Sequence, residues 1–418
     1  MSSTSEKSRN FLRGHPNVDH LPTNLIKNAS NIVNARLAGT TKETQEDRRL
    51  TLNYQENEGD YRFRSLWTDY LNKNLAISAD NHIKADQLFL SAGASFAIDS
   101  IIRTRKISSL EEPPIFIMEK PSYFLVAEIF QNYGFQRFEV PMRTDDNVID
   151  LDALERAFQQ GGALYNKRVD FLYTVPIHHN PCASTLSSQD RKRLLALSKT
   201  YQFAIIADEV YTLLTFSSHV DAFRENQLSW PLAVLDYEPF SVYSVGSFAK
   251  TLAPSFRFGY VFSRDLSMLK KLATPGYLTS GGSLINGYTL QMFVEALKNG
   301  DFDRHLQSLQ RIYQQQGEKV CEILEKYFPQ AGTSPILKFT RPKGGYFMWL
   351  TMHKDIPAEK VFDTFKENNL IVLKGTRCSD DLTHSFRICF VYLDAKDLFQ
   401  GIECICQIIN QFGSKIHQ

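Results

Sequence analysis

Short apolar runs recur through residues 86–262, and turns and stretches of helical periodicity separate them. The runs are rich in β-branched and aromatic residues, which favour strands. Seven segments have this character: QLFLS (87–91), IFIME (115–119), FQRFEV (135–140), FLYTV (171–175), FAIIADE (203–209), FSVYSVGS (240–247) and RFGYVF (257–262). Strands that are mostly apolar are buried on both faces, so the pattern predicts an α/β fold with a mostly parallel, seven-stranded sheet flanked by helices.

The pattern changes after about residue 285. A long helical stretch at 285–328 is followed by two β-rich pieces, KFTRPKGGYFMWL and HSFRICFVYL, with helices predicted at 358–368 and 395–411. This indicates a smaller α+β domain. We therefore predict an N-terminal segment (1–50) that packs with the small domain, a large domain (51–284) and a small C-terminal domain (285–418). Residues 1–10 are polar and predict a disordered tail.

Composition narrows the possible classes of protein. The chain has 418 residues, of which 43% are apolar and 22% charged, and the net charge is +1. These values are typical of a globular protein and give no reason to expect a nucleic-acid or membrane partner. No apolar run approaches the ~18–20 residues of a membrane span. The six cysteines include no CxxC pair, and the N-terminus has no apolar signal core, so we expect a reduced, cytoplasmic setting.

Polar residues stand where several predicted strands end, and in open α/β sheets ligands bind at that edge. After QLFLS, the segment SAGAS (91–95) places small residues at the start of a helix, where free N–H groups can bind phosphate. After FAII, the segment ADEVY (207–211) places either Asp208 or Glu209 toward the crevice. Each motif alone is more often structural than functional.

The segment GSFAKTLAPSFRFGY (246–260) combines a hydroxyl and two cations in apolar surroundings. Ser247 and Arg257 suit a phosphorylated anion, and Lys250 suits an amine nucleophile beside it. Most lysines are solvated surface charges. Because the flanking residues here are apolar, we expect Lys250 to be partly buried and therefore to lose its proton readily.

The segment HHNPCAS (178–184) places Asn180 in a turn before proline, where its amide can reach a ligand. An ordinary Asx-Pro turn explains the same residues. His178 and His179 invite a metal site, but no acidic or thiolate partner stands at ligand spacing, so we predict none.

In their order and spacing, these segments resemble the fold-type I, pyridoxal-phosphate-dependent aminotransferases of class I/II. The resemblance covers nearly the whole chain and is closest to the 2-aminoadipate/kynurenine aminotransferase branch. It also draws on FLRGHPNVDHLP, LNYQENEGDYRFR, KPSYF, GDFDRHL, KGGYFMWL and FRICF. One departure is that Asn180-Pro181-Cys182-Ala183 replaces the usual Asn-Pro-Thr-Gly, so the glycine of that turn is missing.

The resemblance implies a role for each matching residue. Lys250 would form the Schiff base with pyridoxal 5′-phosphate, and Asp208 would pair with the pyridine nitrogen. The remaining cofactor contacts would come from Tyr123 stacked on the ring, from Asn180 and Tyr211 at its phenolic oxygen, and from Ala94, Ser95, Ser247 and Arg257 at the phosphate.

Substrate and partner contacts follow from the same resemblance. Arg387 lies in the β-rich run SFRICFVYL, where an isolated arginine is either a structural ion-pair partner or a carboxylate clamp. The resemblance assigns it to the substrate α-carboxylate, with Asn180 and Gly14 beside it. Apart from the resemblance, we expect Arg13 to meet a distal carboxylate. Tyr54 would reach the phosphate of a neighbouring subunit, which implies a homodimer with shared active sites.

The implied activity is amino transfer between an α-amino acid and a 2-oxo acid by ping-pong chemistry, with 2-aminoadipate or an aromatic amino acid and 2-oxoglutarate as expected substrates. A β-lyase, decarboxylase or synthase on the same fold stays open, although a bound α-carboxylate disfavours decarboxylation. A serine hydrolase using Ser247 and Lys250 would leave Asp208 and Arg257 without a role. A ligand-sensing domain of a transcription regulator is disfavoured by the near-neutral charge and the few residues before FLRGHP.

Overall fold

The strands of the structure coincide with the apolar runs of the sequence. The computed structural model describes residues 8–104, 112–236, 242–274, 284–329 and 336–413. Each of the predicted sheet strands is present within two residues of its expected bounds, except that residues 240 and 241 lie outside the described residues. The strands are β1 Arg9–Asn10, β2 Leu88–Ser91, β3 Ile115–Lys120, β4 Gln136–Pro141, β5 Val169–Thr174, β6 Ala204–Asp208, β7 Val242–Ser247, β8 Gly259–Phe262, β9 Leu337–Phe339, β10 Phe347–Met352, β11 Leu370–Ile371, β12 Leu373–Lys374 and β13 Ser385–Cys389.

Within the described ranges, seven strands form one sheet in the order β2-β8-β7-β6-β5-β3-β4. Strand β8 runs antiparallel to β2 and β7, and the other neighbouring pairs are parallel. The prediction of a mostly parallel sheet is thus confirmed. Strands β5 and β6 are buried along their whole length, as expected of strands covered on both faces.

Helices cover the sheet and complete the small domain. Side chains cap several of their N-termini; Asp60, Ser187 and Asn286 accept hydrogen bonds from backbone N–H groups three residues on. No helix within the described residues is both long and apolar enough to cross a membrane. The helices are α1 Thr23–Ala38, α2 Lys42–Leu52, α3 Tyr61–Asn74, α4 Ala94–Thr104, α5 Leu125–Asn132, α6 Leu151–Phe158, α7 Ser188–Tyr201, α8 Val220–Glu225, α9 Leu266–Ala273, α10 Gly287–Lys298, α11 Asp301–Tyr327, α12 Ala358–Glu367 and α13 Ala395–Gly413.

The C-terminal part contains an antiparallel sheet in the order β12-β13-β10-β9. Helix α13 packs against the long helix α11, and α12 packs against α13. Strand β13 lies between β12 and β10, with Arg387 opposite Trp349 and Leu373. This α+β arrangement agrees with the pattern of the sequence after residue 285.

The prediction of a disordered tail over residues 1–10 is wrong for residues 9 and 10. They form β1, which pairs in parallel with β11. Phe11 explains the order, because its side chain is fully buried and its backbone bonds to Ile371 and Cys389 at 2.7 and 2.8 Å. A Cβ on Gly401 would lie 2.6 Å from the Phe11 ring, so the glycine gives this ring its space. Residues 1–7 of the predicted tail lie outside the described residues.

The domain boundaries stay predictions, and two packing features bear on them. Helix α2 continues to Leu52, across the expected boundary at residue 50. Helices α1 and α2 pack against α10, while β1 pairs with β11, so the N-terminal segment contacts elements on both sides of the expected boundary near residue 285.

An aromatic cluster joins α3 and α10 to the chain that follows β7. Phe248 lies at its centre, with its ring centroid 4.5–4.6 Å from those of Trp67, Phe258 and Phe293. Phe63 completes the cluster. Because Phe248 is only two residues from Lys250, the packing of this ring also fixes the backbone of a candidate site residue.

We expect Phe248→Ala to lower the free energy of unfolding by about 3–5 kcal/mol, because it removes a fully buried ring and leaves a cavity. Urea unfolding measured by fluorescence and circular dichroism tests this. Leu266→Ala, at a side chain that is 41% exposed, is the matched control and should change the free energy by less than about 0.5 kcal/mol. Equal stability of the two variants would contradict the importance of this cluster.

Candidate active site

The carboxyl ends of β3, β5, β6 and β7 open onto one cavity of about 380 Å³. Its walls include Lys250, Arg257 and Arg387. The predicted site residues among its walls are Arg13, Gly14, Ala94, Ser95, Tyr123, Asn180, Asp208, Tyr211, Ser247, Lys250, Arg257 and Arg387. The structure therefore brings together residues that lie up to 374 positions apart in the chain, between Arg13 and Arg387.

Asp208 ends β6 and is buried at the base of the cavity. The hydroxyl of Tyr173 on the neighbouring strand donates to its Oδ2 at 2.7 Å, while Oδ1 has no hydrogen-bond partner among the described residues. Burial raises the pKa of Asp208 to about 6, and the Tyr173 hydrogen bond opposes that rise. Asp208 is therefore ionised at neutral pH, with one oxygen available to a ligand.

Lys250 follows β7 in a turn held by Ser247, whose Oγ accepts from the Ala249 N–H at 3.1 Å. The Nζ atom donates to the Gly14 carbonyl at 2.7 Å. It also lies 5.8 and 5.2 Å from the ring centroids of Tyr211 and Tyr346.

Burial lowers the pKa of Lys250 to about 8, and the charges of Arg387 and Arg257 act in the same direction, whereas Asp208 opposes them. The apolar surroundings expected from the sequence thus have the expected electrostatic effect.

Arg387 is 5% exposed in the middle of β13, between the buried side chains of Phe386 and Ile388. Its guanidinium donates to Asn180 Oδ1 at 2.8 Å and to the Leu12 carbonyl at 2.5 Å. The Phe347 ring supports it from one side at 3.9 Å. A planar cation held in this way presents a fork that matches a carboxylate.

The other end of the cavity suits a phosphate group. Helix α4 begins at Ala94, so the N–H groups of its first turn have no partner within the helix. Gly93 precedes it with φ +91°, and a Cβ there would lie 2.9 Å from Nη2 of Arg257. Ser247 is the last residue of β7, and its hydroxyl donates to the Phe258 carbonyl at 3.4 Å. Free amides, a guanidinium and a hydroxyl are an anion-binding set.

These features fit pyridoxal 5′-phosphate. A buried carboxylate oxygen without a partner stands at one end for the pyridine nitrogen, and an anion-binding set stands at the other. Tyr123 also lines the cavity, and burial raises the pKa of its phenol to about 12, so the phenol stays neutral. Burial also keeps Tyr211 protonated, because it raises the pKa of this phenol well above its usual value.

The turn that carries Asn180 keeps its shape without the usual glycine. Ala183 has φ +59°, in the left-handed region that glycine adopts without strain. Backbone bonds hold it there: Ala183 N–H donates to the His179 carbonyl at 2.7 Å, and His179 N–H donates to the Ser184 carbonyl at 2.8 Å.

Two predicted residues stand apart from the centre of the cavity. Tyr54 is 73% exposed and does not line the cavity of its own chain. Arg13 lines the mouth, but its side chain is exposed and donates to the Tyr392 hydroxyl at 3.0 Å.

Sequence reasoning missed three aromatic residues that hold the site together. Tyr173 orients Asp208, Phe347 supports Arg387, and the Tyr346 hydroxyl donates to the Lys250 carbonyl at 2.8 Å. The sequence carried a signal for Tyr173 and Tyr346, because each lies in an apolar strand or directly before one. A phenol buried there needs a hydrogen-bond partner. Phe347 has no such signal, since a buried phenylalanine is ordinary core.

The comparisons with known proteins agree with this geometry. Residues 21–405 match the family model described as aminotransferase class I and II. The 2-aminoadipate transaminase of Thermus thermophilus is 25% identical over 77% of this chain and 74% of its own length. An uncharacterized HTH-type transcriptional regulator of Bacillus subtilis, YisV, is 28% identical over 86% of this chain and 67% of its own length.

Solved structures show the same fold. The crystal structure of Pyrococcus horikoshii kynurenine aminotransferase superposes with a TM-score of 0.80 and 24% identity, over 97% of this chain and 92% of that chain. The family match favours transamination over the β-lyase, decarboxylase and synthase alternatives. The chain belongs to the class I and II aminotransferases and is a transaminase that uses pyridoxal 5′-phosphate.

Proposed function

We propose that Lys250, Asp208 and Arg387 carry this transamination, and that they act on an α-amino acid bound in the cavity described above. The observation that carries the proposal is that one cavity contains a lysine of lowered pKa, a buried carboxylate and a supported guanidinium. No one of these groups is specific, but their combination meets each requirement of the reaction.

Each residue has a separate task. When bound, pyridoxal phosphate supplies an electron sink for the charge that develops at the substrate α-carbon. Asp208 would hold a proton at the ring nitrogen, which keeps that sink effective. Lys250, deprotonated at about pH 8 and above, would attach the cofactor and later carry a proton at Nζ to and from the α-carbon. Tyr211 and Asn180 would contact the phenolic oxygen.

Arg387 would orient both substrates of the ping-pong cycle. The amino acid and the 2-oxo acid share an α-carboxylate, so one bidentate guanidinium can serve both half-reactions. Asn180 contacts Arg387 directly, and the Leu12 and Gly14 carbonyls lie beside the cations, which makes the N-terminal segment part of the substrate site.

The rest of the cavity favours a substrate with an apolar or long side chain. Its remaining walls are largely apolar and include Ile98, Phe124, Leu125, Ile129 and Leu373. Arg13 at the mouth would meet a distal carboxylate. These features support an aromatic amino acid or 2-aminoadipate as donor and 2-oxoglutarate as acceptor. The names of the Thermus and Pyrococcus proteins give 2-aminoadipate and kynurenine as amino acids on which those proteins act.

The proposed assembly is a homodimer with shared active sites. Leu52, Tyr54 and Tyr61 expose large apolar surfaces close together in sequence, with 69%, 73% and 54% of each residue accessible. Such exposure is typical of an interaction surface. Tyr54 would there complete the phosphate site of the other subunit.

The proposed setting is the cytoplasm. The buried cysteines support it, because they remain thiols in the structure: Cys182, Cys321, Cys378, Cys389 and Cys406.

Pyridoxal phosphate should attach to the cofactor-free protein at a rate that rises with pH and reaches half its maximum near pH 8. The reason is that the Lys250 amine is protonated and unreactive below its lowered pKa. Stopped-flow absorbance of the Schiff base measures the rate, and borohydride reduction followed by peptide mass spectrometry should locate the cofactor on Lys250.

Lys250→Ala should abolish both the absorbance band and transamination. Lys270→Ala, at an exposed lysine on α9, is the control and should preserve them. A label on another lysine, or attachment with a midpoint near the usual lysine pKa, would contradict the assignment.

Arg387→Lys should lower kcat/KM by ~10²-fold or more for amino acids and 2-oxo acids alike, because the charge stays but the bidentate geometry is lost. Single-turnover measurements of each half-reaction test this. Arg137→Lys, on the exposed edge strand β4, should leave both half-reactions unchanged. A loss confined to one half-reaction would argue against the shared carboxylate site.

Sedimentation at micromolar concentration should show twice the chain mass of 47.9 kDa. A mixture of Lys250→Ala and Tyr54→Ala chains, unfolded and refolded together, should then regain activity above either parent. Only a hybrid in which Tyr54 acts across the interface contains one site with both residues intact. No gain on mixing, with hybrids confirmed by native mass spectrometry, would refute action across the interface.

A further inference from the structure

Glu119 is a buried carboxylate that lies outside the cavity yet touches three segments that form it. It is the fifth residue of β3, and only 2% of it is exposed. Its surroundings are the turn after β3, the end of β5 and the turn that carries Asn180. A buried carboxylate is costly unless it is well hydrogen-bonded, so its partners indicate why it is there.

Four donors surround the Glu119 carboxylate. Its Oε2 accepts from Ser122 Oγ at 3.2 Å, from His179 Nε2 at 3.2 Å and from the Val175 N–H at 3.4 Å. Its Oε1 accepts from the hydroxyl of Thr174. We call Glu119 with these four partners the Glu119 cluster.

The geometry fixes the tautomer of His179. The Cys182 N–H donates to His179 Nδ1 at 3.2 Å, so Nδ1 is an acceptor without a proton. A neutral imidazole then carries its proton on Nε2, which donates to Glu119. His179 thus joins the carboxylate to the backbone on the far side of Asn180. The neighbouring His178 has a different partner: its Nε2 is hydrogen-bonded to the Thr215 hydroxyl at 2.9 Å.

Three partners in the Glu119 cluster adjoin a residue of the proposed active site, and the fourth, Val175, itself lines the cavity. Ser122 precedes Tyr123, which lines the cavity. Thr174 follows Tyr173, which donates to Asp208. His179 precedes Asn180, whose Oδ1 accepts from Arg387.

We propose that Glu119 is a positioning residue for transamination: its buried carboxylate fixes Tyr123 and Asn180 in register with the Tyr173–Asp208 pair, and through Asn180 it orients Arg387. The proposal rests on the function proposed above for Asn180 and Arg387. Glu119 does not line the cavity, so it acts through its partners and not on the substrate.

Three variants separate geometry from charge. Glu119→Gln removes the charge but keeps an oxygen for the three donors at Oε2, and the Thr174 hydroxyl can reverse its role toward the new amide. His179→Leu removes one arm and leaves the Cys182 N–H without its acceptor. His179→Gln restores a side-chain N–H donor toward Glu119 and is the conservative partner of His179→Leu.

We expect His179→Leu to raise KM for amino acid and 2-oxo acid by about 10-fold or more, the usual size of effect for a partner that orients a functional side chain. The change in kcat should be smaller. Glu119→Gln and His179→Gln should stay within about 3-fold of the wild type, because both keep most of the hydrogen bonds.

Two measurements do not depend on turnover. The dissociation constant of 3-phenylpropionate, which has a carboxylate but no amino or keto group, reports the Arg387 site and should rise in His179→Leu. The pH titration of the bound cofactor's absorbance should shift to higher pH in the same variant. A displaced Asn180 stabilises the phenolate oxygen less, so the proton is held more tightly.

Thermal unfolding of each variant completes the test. Leu154→Ala, at a fully buried side chain of α6 that does not line the cavity, provides the comparison, since it should lower stability without changing the dissociation constant. If His179→Leu only lowers the melting temperature and leaves the dissociation constant and the absorbance titration unchanged, Glu119 is structural and the proposal is overturned. If Glu119→Gln raises KM as much as His179→Leu does, the charge of Glu119 governs the site and the positioning account is wrong. Absence of transamination in the wild type would instead refute the proposed function.

Discussion

The proposed active site depends on keeping four ionisable side chains buried at one edge of the sheet: Glu119, Asp208, Lys250 and Arg387. Water would solvate each of them better than the protein interior does, so each must receive specific partners. Tyrosine, serine, threonine and histidine donors serve the carboxylates, and backbone carbonyls and the Asn180 amide serve the cations. The same low polarity that makes burial costly also shifts the pKa values of Asp208 and Lys250 toward neutrality.

The fold supplies these partners because several strands end at the same edge of the sheet. Parallel strands β3, β5 and β6 end at the same edge, and β13 of the small domain brings Arg387 to face them. The antiparallel strand β8 returns the chain so that Arg257 lies beside Gly93 and the start of α4. The aromatic cluster around Phe248 then holds the turn that ends at Lys250. Residues that are distant in the chain thereby line one cavity of about 380 Å³.

Much of this arrangement could be predicted from the sequence. Strands β5 and β6 were predictable because burial on both faces leaves continuous apolar runs, and the residues at their ends marked the ligand edge. Lys250 stood out as a cation in an apolar segment, whereas Arg387 was assigned through the resemblance to the aminotransferases.

The features that the sequence did not predict depend on backbone atoms or on tertiary contacts, which leave no recognisable pattern of side chains. The Leu12 and Gly14 carbonyls are backbone atoms, and β1 consists of two polar residues whose order comes from Phe11 and its tertiary contacts. The partners of Glu119 come from three separate segments, so only the folded chain brings them together.

The contact between Arg387 and the Leu12 carbonyl has a thermodynamic consequence for catalysis. In the role proposed for Arg387, a substrate carboxylate that takes both prongs of the guanidinium would replace an existing acceptor, so binding would be an exchange of hydrogen bonds and would yield only their difference in free energy. The carbonyl would return when the product leaves and would again pair with the cation. A ping-pong enzyme must release one carboxylic acid before it takes the next, and an acceptor already bound to the same cation would favour that release.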